Sequence, residues 1–195
     1  RFNREWIFRD INFETHKNSS IAIIGPNGSG KSTLLQIIAG NLLASSGNVT
    51  YSDNGTTIPD DKIYQYISFT APYLDIIEEF TLDEFLKFHF KFKKLRSSVR
   101  IEELPEKLQL NGALHKEIKN FSTGMRQRVK LGITFFSDAP VMLLDEPTTN
   151  LDLKGLDWYY ENIEIINKEK IIFVSSNSEK EYSFCREIIN VLDYK

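Results

Sequence analysis

The strongest chemical signal in the chain is the run Gly25-Pro26-Asn27-Gly28-Ser29-Gly30-Lys31-Ser32-Thr33. It satisfies G-x-x-x-x-G-K-[ST], a pattern that seats phosphate oxygens. Glycines let successive backbone N–H groups converge into a concave nest. A helix starting near Lys31 aims its partially positive N-terminus at the same point. Lys31 can reach the β- and γ-phosphates of a nucleotide, and the Ser32 hydroxyl can ligate Mg²⁺. Such a site also needs an acid on a neighbouring strand. Val141-Met142-Leu143-Leu144-Asp145-Glu146 supplies one: the apolar residues bury the strand, and Asp145 emerges at its C-terminal end, where ligands bind in open α/β sheets. Glu146, next to that metal ligand, can polarise an attacking water. An ordinary glycine-rich turn and a pair of acids capping a strand are the bland alternatives. Their occurrence together favours a magnesium–nucleotide site.

The elements that must position these residues are legible in outline. Ser20–Gly25 is a short β-branched run, as a buried parallel strand would be. Ser32–Gly40 has helical spacing and a terminal glycine. Asn48–Asp61 is turn-rich, with short strands around Asn54-Gly55. Strand Ile67–Thr70 ends at Pro72, and from Thr81 to about Gly112 the apolar spacing turns helical. Thr123–Ser137 reads as a helix, Val141–Leu144 as a strand, and Leu153–Asn167 as a helix. Strand Lys170–Ser175, a short helix near Glu179–Cys185 and strand Ile188–Leu192 complete the pattern. Apolar strands alternating with helices imply a parallel sheet covered on both faces. The helical stretch at roughly 75–122 interrupts the alternation and is expected to form a lobe of its own.

Composition narrows the class. A chain of 195 residues, 41% hydrophobic and 26% charged, fits one soluble globular domain with a core large enough to need no disulfide. With 24 Lys+Arg against 27 Asp+Glu the net charge is −3, so no bulk positive field argues for a nucleic-acid partner. Cys185 is the single cysteine, which excludes an internal disulfide and any zinc site needing two thiolates. No uninterrupted apolar run approaches the ~18 residues of a membrane span. The start Arg1-Phe2-Asn3-Arg4-Glu5 is not a signal peptide, and without an initiator Met the chain is expected to lack a few native N-terminal residues.

In their order along the chain these motifs resemble the ATP-binding cassette family, the ATPase subunits of ABC transporters. Gly25–Thr33 is similar to the family's Walker A. Phe121-Ser122-Thr123-Gly124-Met125, followed by Arg126-Gln127-Arg128, sits where its LSGGQ signature belongs. Leu144-Asp145-Glu146-Pro147-Thr148 resembles its extended Walker B, and Thr149-Asn150-Leu151-Asp152 its D-loop. The short cassette is also similar to the ATPase subunit of cytochrome c-type haem exporters. The resemblance implies a single cassette over residues 1–195: an α/β P-loop NTPase-type parallel sheet with flanking helices, an N-terminal antiparallel β portion and an inserted helical subdomain at approximately 75–122. It implies an ATPase using ATP and Mg²⁺, in a head-to-tail dimer with a second ATP-binding subunit, driven against transmembrane permease subunits. The chain would then be cytoplasmic, on the inner face of the membrane through those partners.

Carried over residue by residue, Gly25, Pro26, Asn27, Gly28, Ser29, Gly30, Lys31, Ser32 and Thr33 cradle the phosphates. Ser32 and Asp145 hold the metal, Lys31 and Glu146 are catalytic, and Ser122 and Gly124 act in trans at the partner's nucleotide. Ser122 at a helix N-cap, with Gly124 admitting close approach, suits that role.

Three departures stand out. Thr123 and Met125 replace the second and fifth signature residues. The family's glutamine after the strand entering the helical lobe falls at Ala71 or Pro72; Gln65 lies upstream and is not a substitute. The switch histidine falls at Ser176, with Asn177 next, while His16, His89 and His115 lie elsewhere. A serine or an asparagine there can hydrogen-bond a γ-phosphate but cannot become an imidazolium. Slow hydrolysis driven mainly by Glu146 is the expectation.

For the base, the family offers an aromatic upstream of Walker A. Phe2 fits that position, with Trp6 as runner-up. Phe85, Phe88 and Phe92 are expected to share a helix stripe, with Phe90 pointing elsewhere; the cluster reads as a socket for a partner's helix or as the core of a small lobe. Cys185 reads as buried packing. Two rivals remain at this stage: a soluble nucleotide switch on the same fold, and a module that holds ATP without hydrolysing it.

Overall fold

In the computed structural model of the chain, residues 5–195 are described. The β-branched run Ser20–Ile24 forms strand β1 and leads through the glycine-rich loop into helix α1, Lys31–Ile38. Strands β2 (Ser52–Asp53) and β3 (Thr56–Thr57) form an antiparallel pair around Asn54 (φ 49°) and Gly55 (φ 80°). Positive φ at both turn residues is what a two-residue hairpin demands. The short helix α2 (Ile63–Tyr66) runs directly into strand β4 (Ile67–Thr70).

Helix α3 (Leu82–Phe92) opens with a full capping box. Thr81 Oγ1 accepts from the Glu84 N–H at 3.3 Å, and the Thr81 N–H donates to Glu84 Oε2 at 2.8 Å. Helices α4 (Leu104–Lys107) and α5 (Thr123–Phe136) follow, then strand β5 (Val141–Asp145). Helix α6 (Leu153–Ile166) is capped by Asp152, which accepts from the Gly155 N–H at 2.8 Å. Strand β6 (Ile171–Ser175), helix α7 (Glu179–Tyr182), strand β7 (Glu187–Asn190) and a 3₁₀ turn over Val191–Tyr194 close the chain.

The main sheet has the order β4-β5-β6-β1-β7 and is parallel throughout. Successive residues of each strand feed opposite faces. Ile21, Ile23, Val141, Leu143 and Phe173 pack with Leu34, Leu35 and Ile38 of α1. Met142, Leu144, Ile172 and Val174 pack on the other face with α5 and α6. Both faces are covered by apolar side chains, which is why the strands read as apolar runs rather than alternating ones. The antiparallel strand pair among the described residues is β2–β3, with isolated antiparallel bridges at Thr81–Glu117 and Leu95–Ser137, and residues 6–19 carry no strand. No described helix is long and apolar enough to cross a membrane.

The 75–122 segment shares a cluster with the sheet: Leu82, Phe85, Leu86, Leu104 and Leu108 pack together with Met142, Leu144 and Trp158. One sequence expectation changes here, the stripe on α3. Within α3, Phe85 is buried and Phe90 packs against the core, whereas Phe88 and Phe92 face outward, Phe92 being 70% exposed. Phe90, not the Phe88–Phe92 pair, therefore joins Phe85 inside. The ridge Phe80–Phe88–Phe92 is stacked edge-to-face at 5.5 and 5.1 Å. The four-residue spacing of Phe88 and Phe92 fixes that they share a face but not which side the sheet lies on.

Candidate nucleotide site

The glycine-rich loop is built as a nest. Gly30, the residue before α1, has φ 112°, and no side chain caps the helix. The first N–H groups of α1 are thus left for a ligand. A Cβ at Gly30 would run into Ile7 Cγ2 beneath it, so both backbone conformation and space require glycine. The ammonium of Lys31, a residue only 5% exposed, donates to the carbonyls of Gly25 at 2.9 Å and Pro26 at 3.3 Å. Ser29 Oγ is buried without a hydrogen-bond partner among the described residues. Lys195 Nζ donates to the Ser29 carbonyl at 2.9 Å, adding a second cation to the loop's underside.

Strand β5 is not hydrogen-bonded to β1; β6 runs between them. Ile23 and Asp145 are both register partners of Ser175, which puts their Cα atoms about 10 Å apart. Helix α1, which begins at Lys31 and Ser32, packs across β5 and β6. Gln36, one turn beyond Ser32, donates from Nε2 to the Tyr73 phenol at 3.2 Å, and the Asp145 charge, after burial, helps push that phenol's pKa up.

Asp145 is 2% exposed and its Oδ1 has no partner among the described residues. Thr70 Oγ1 and Ser175 Oγ, at the ends of the flanking strands, are likewise buried and unpaired. Buried polar atoms are nearly always satisfied. Three unsatisfied oxygens along one sheet edge fit a divalent ion and its waters, with Asp145 the charged donor and Ser32 the hydroxyl beside the phosphates. Among the described residues no group of three or more His, Cys, Asp or Glu forms a metal cluster.

Glu146 follows in the left-handed region, φ 43°, and its N–H donates to the Ser175 carbonyl at 2.8 Å. Such strain in a non-glycine residue persists only where the surroundings over-determine it, commonly at working sites. Gln127 of α5, itself buried, donates from Nε2 to the Pro147 carbonyl at 2.7 Å. Past β6, Ser176 is 1% exposed, and its Oγ accepts from the Ser178 N–H at 2.8 Å. Its hydroxyl is spent on its own loop. The exposed neighbour Asn177 instead reaches the cradle, donating from Nδ2 to Asn27 Oδ1. Of the two, Asn177 and not Ser176 is placed at the cradle.

Against this geometry, a family model described as ABC transporter matches residues 8–149. The chain belongs to the ABC transporter family. An uncharacterized ABC transporter ATP-binding protein of Bacillus subtilis, YdbJ, is 31% identical over 158 residues, covering 81% of this chain. The chain spans about half of that relative, 51% of its length. A putative ABC transporter ATP-binding protein from Pyrococcus furiosus superposes with a TM-score of 0.81 at 25% identity, over 98% of this chain and 94% of its own. The dimeric bacterial ABC transporter cassette MJ0796 shares the fold, with a TM-score of 0.79 at 22% identity, over 97% of this chain and 88% of its own.

In this ABC cassette the segment that resembles the signature, Phe121–Met125, leads into α5. Ser122 Oγ accepts from the Met125 N–H at 3.2 Å, the N-cap its sequence position predicts. A Cβ at Gly124 would stand 3.0 Å from the Asn150 carbonyl, so the close approach at this glycine is made by the cassette's own D-loop. A groove of about 600 Å³ opens beside it, lined by Ser122, Thr123, Gly124, Arg128 and Asn150 among others. Phe2 lies outside the described residues. Trp6, the runner-up, lines a cavity of about 1120 Å³ with Phe13, Tyr51 and Ile171. That cavity reaches the strands' N-terminal ends, away from the phosphate cradle. Tyr73, Gln36 and Lys195 carry no motif that would mark them in the sequence, and each reaches the site from a different element.

Proposed function

We propose that this chain binds ATP with Mg²⁺ and hydrolyses it as the ATP-binding subunit of an ABC transporter. The observation that carries the reading is the pairing of an uncapped helix N-terminus at Lys31 with the unpartnered, buried Asp145 Oδ1 on the same sheet edge. Gly25, Pro26, Asn27, Gly28, Ser29, Gly30 and Thr33 present the nest, and Lys31 exchanges its loop carbonyls for β- and γ-phosphate oxygens. Ser32 and Asp145 would hold Mg²⁺, which supplies charge neutralisation to those oxygens when bound. Glu146 orients the water that attacks the γ-phosphorus and takes its proton as the bond to the β–γ bridging oxygen breaks, releasing ADP and phosphate. Asn177 contacts the γ-phosphoryl, while Ser176 shapes the loop that presents it. An amide cannot cycle as an acid and base, so turnover is slow.

A second ATP-binding subunit closes head-to-tail, offering Ser122 and Gly124 to this nucleotide. Transmembrane permease subunits receive that closure, holding the cassette at the cytoplasmic face of the membrane, and the exposed Phe80–Phe88–Phe92 ridge is an apolar surface on which such a partner can rest. Isothermal calorimetry tests the reading. MgATP should give saturable heat, and Lys31→Ala should weaken binding at least about tenfold, the cost of losing a charge-assisted phosphate contact. Absence of adenine-nucleotide binding by the wild type would overturn it.

A further inference from the structure

The strained turn after β5 is held from two sides. Glu146 (φ 43°) and Asn150 (φ 67°) are both left-handed without being glycine. Inside the turn, the Thr149 N–H donates to the Glu146 carbonyl at 3.2 Å and the Leu151 N–H to the Thr148 carbonyl at 3.0 Å. From α5, Gln127 grips the Pro147 carbonyl. From α7, Glu181 grips Thr148: one carboxylate oxygen, Oε1, accepts from both the Thr148 N–H, at 3.0 Å, and the Thr148 hydroxyl.

Glu181 is an unusual residue to find there. It is 5% exposed and, among the described residues, has no Lys or Arg ion-pair partner. Burying a carboxylate is costly unless its donors are well placed, and bonds to an ionised acceptor are about twice as strong as neutral ones. The position is also connected. The Glu181 N–H donates to the Ser178 carbonyl at 2.9 Å, the Ser178 N–H to Ser176 Oγ at 2.8 Å, and Asn177 between them reaches Asn27 of the cradle. At the far end of the turn, the Asn150 carbonyl lies against the position of Gly124.

We propose that Glu181 is a positioning residue that ties the Ser176–Ser178 loop to the Glu146–Asn150 turn, holding Glu146 in its strained conformation and passing movements of Asn177 at the nucleotide to Glu146 and to the Asn150 face beside the signature. This rests on the ATPase reading above. Glu181 touches neither phosphate nor water; it acts through Thr148. A chain of contacts is not by itself coupling, so the test must measure non-additivity.

The experiment is steady-state MgATP hydrolysis by the full chain and four variants, with amide hydrogen exchange as a second readout. Glu181→Ala should lower kcat about tenfold, with KM for ATP changed less than twofold, and should speed exchange at Thr148–Leu151. Glu181→Gln keeps an acceptor oxygen and should recover most of the rate. Thr148→Val removes only the hydroxyl; it should lower kcat about threefold in the wild type and add nothing in the Glu181→Ala background. Should Glu181→Ala not fold, the milder Glu181→Gln and Thr148→Val proteins still decide by kcat and exchange. An unchanged kcat in the Glu181→Ala protein, additive losses in the double variant, or a loss confined to KM would overturn the inference while leaving the ATPase reading intact. A wild type that binds MgATP but never turns it over would defeat hydrolysis itself, and this inference with it.

Discussion

Glu146 shows how much a single residue's setting decides. It comes one position past a buried aspartate whose Oδ1 has no partner among the described residues, and its backbone sits in a conformation that most side chains avoid. If it prepares the attacking water, Glu146→Gln should keep MgATP affinity within about twofold and cut the single-turnover rate at least ~100-fold, the usual span of general-base catalysis. Equal rates in rapid-quench measurements would remove Glu146 from the role. The cradle, Asp145 and Glu146 were legible in the sequence because phosphate binding constrains adjacent residues, so the signal is local. Ser176 was not legible in the same way. Serine readily turns its hydroxyl back onto nearby backbone, and here the Ser178 N–H claims it, leaving the exposed Asn177 to face Asn27.

Helix α3 carries the lesson at the scale of an element. Its capping box and its buried Leu82, Phe85 and Leu86 follow from the spacing. The side on which Phe88 and Phe92 fall does not, because that depends on where the sheet and α5 lie. His89 is half-buried between Phe85 and Phe90, with rings 6.2 and 5.0 Å away, and its Nε2 is buried without a partner among the described residues. Burial first, and then the nearby Lys93 charge, push its pKa down to about 4. The unfolded chain therefore binds a proton below about 6.5 that the folded chain accepts only near 4. Stability from this group is complete above pH 6.5 and is lost as the pH falls from there toward 4, by at most about 3 kcal/mol. Urea titrations across that window should show the loss, and His89→Leu should flatten the curve; an unchanged slope would place the acid sensitivity elsewhere.

At the scale of the whole molecule, the strand order gathers the site. Placing β6 between β1 and β5 puts Ser175 in register with both Ile23 and Asp145, so the cradle, the acid and the Ser176–Ser178 loop all emerge at one edge. The signature, at the start of α5, opens onto a separate groove. A second copy offering that groove to the nucleotide would complete the site, so association should depend on the ligand. Light scattering on Glu146→Gln should find the mass of one chain without nucleotide and of two with saturating MgATP, and Lys31→Ala should stay single. An unchanged mass with MgATP would argue against closure by a second copy. The amino-acid sequence by itself determined the phosphate nest, the acid that follows a buried strand, the helix caps and the alternation that makes a parallel sheet, since each rests on neighbours a few residues apart. Only the tertiary structure decided that β6 separates the two motif strands, that the helical segment shares the main core, that Asn177 rather than Ser176 faces Asn27, and that Tyr73, Lys195 and Glu181 reach the site. Those contacts join residues tens of positions apart, and no local propensity encodes a meeting that depends on how the layers stack.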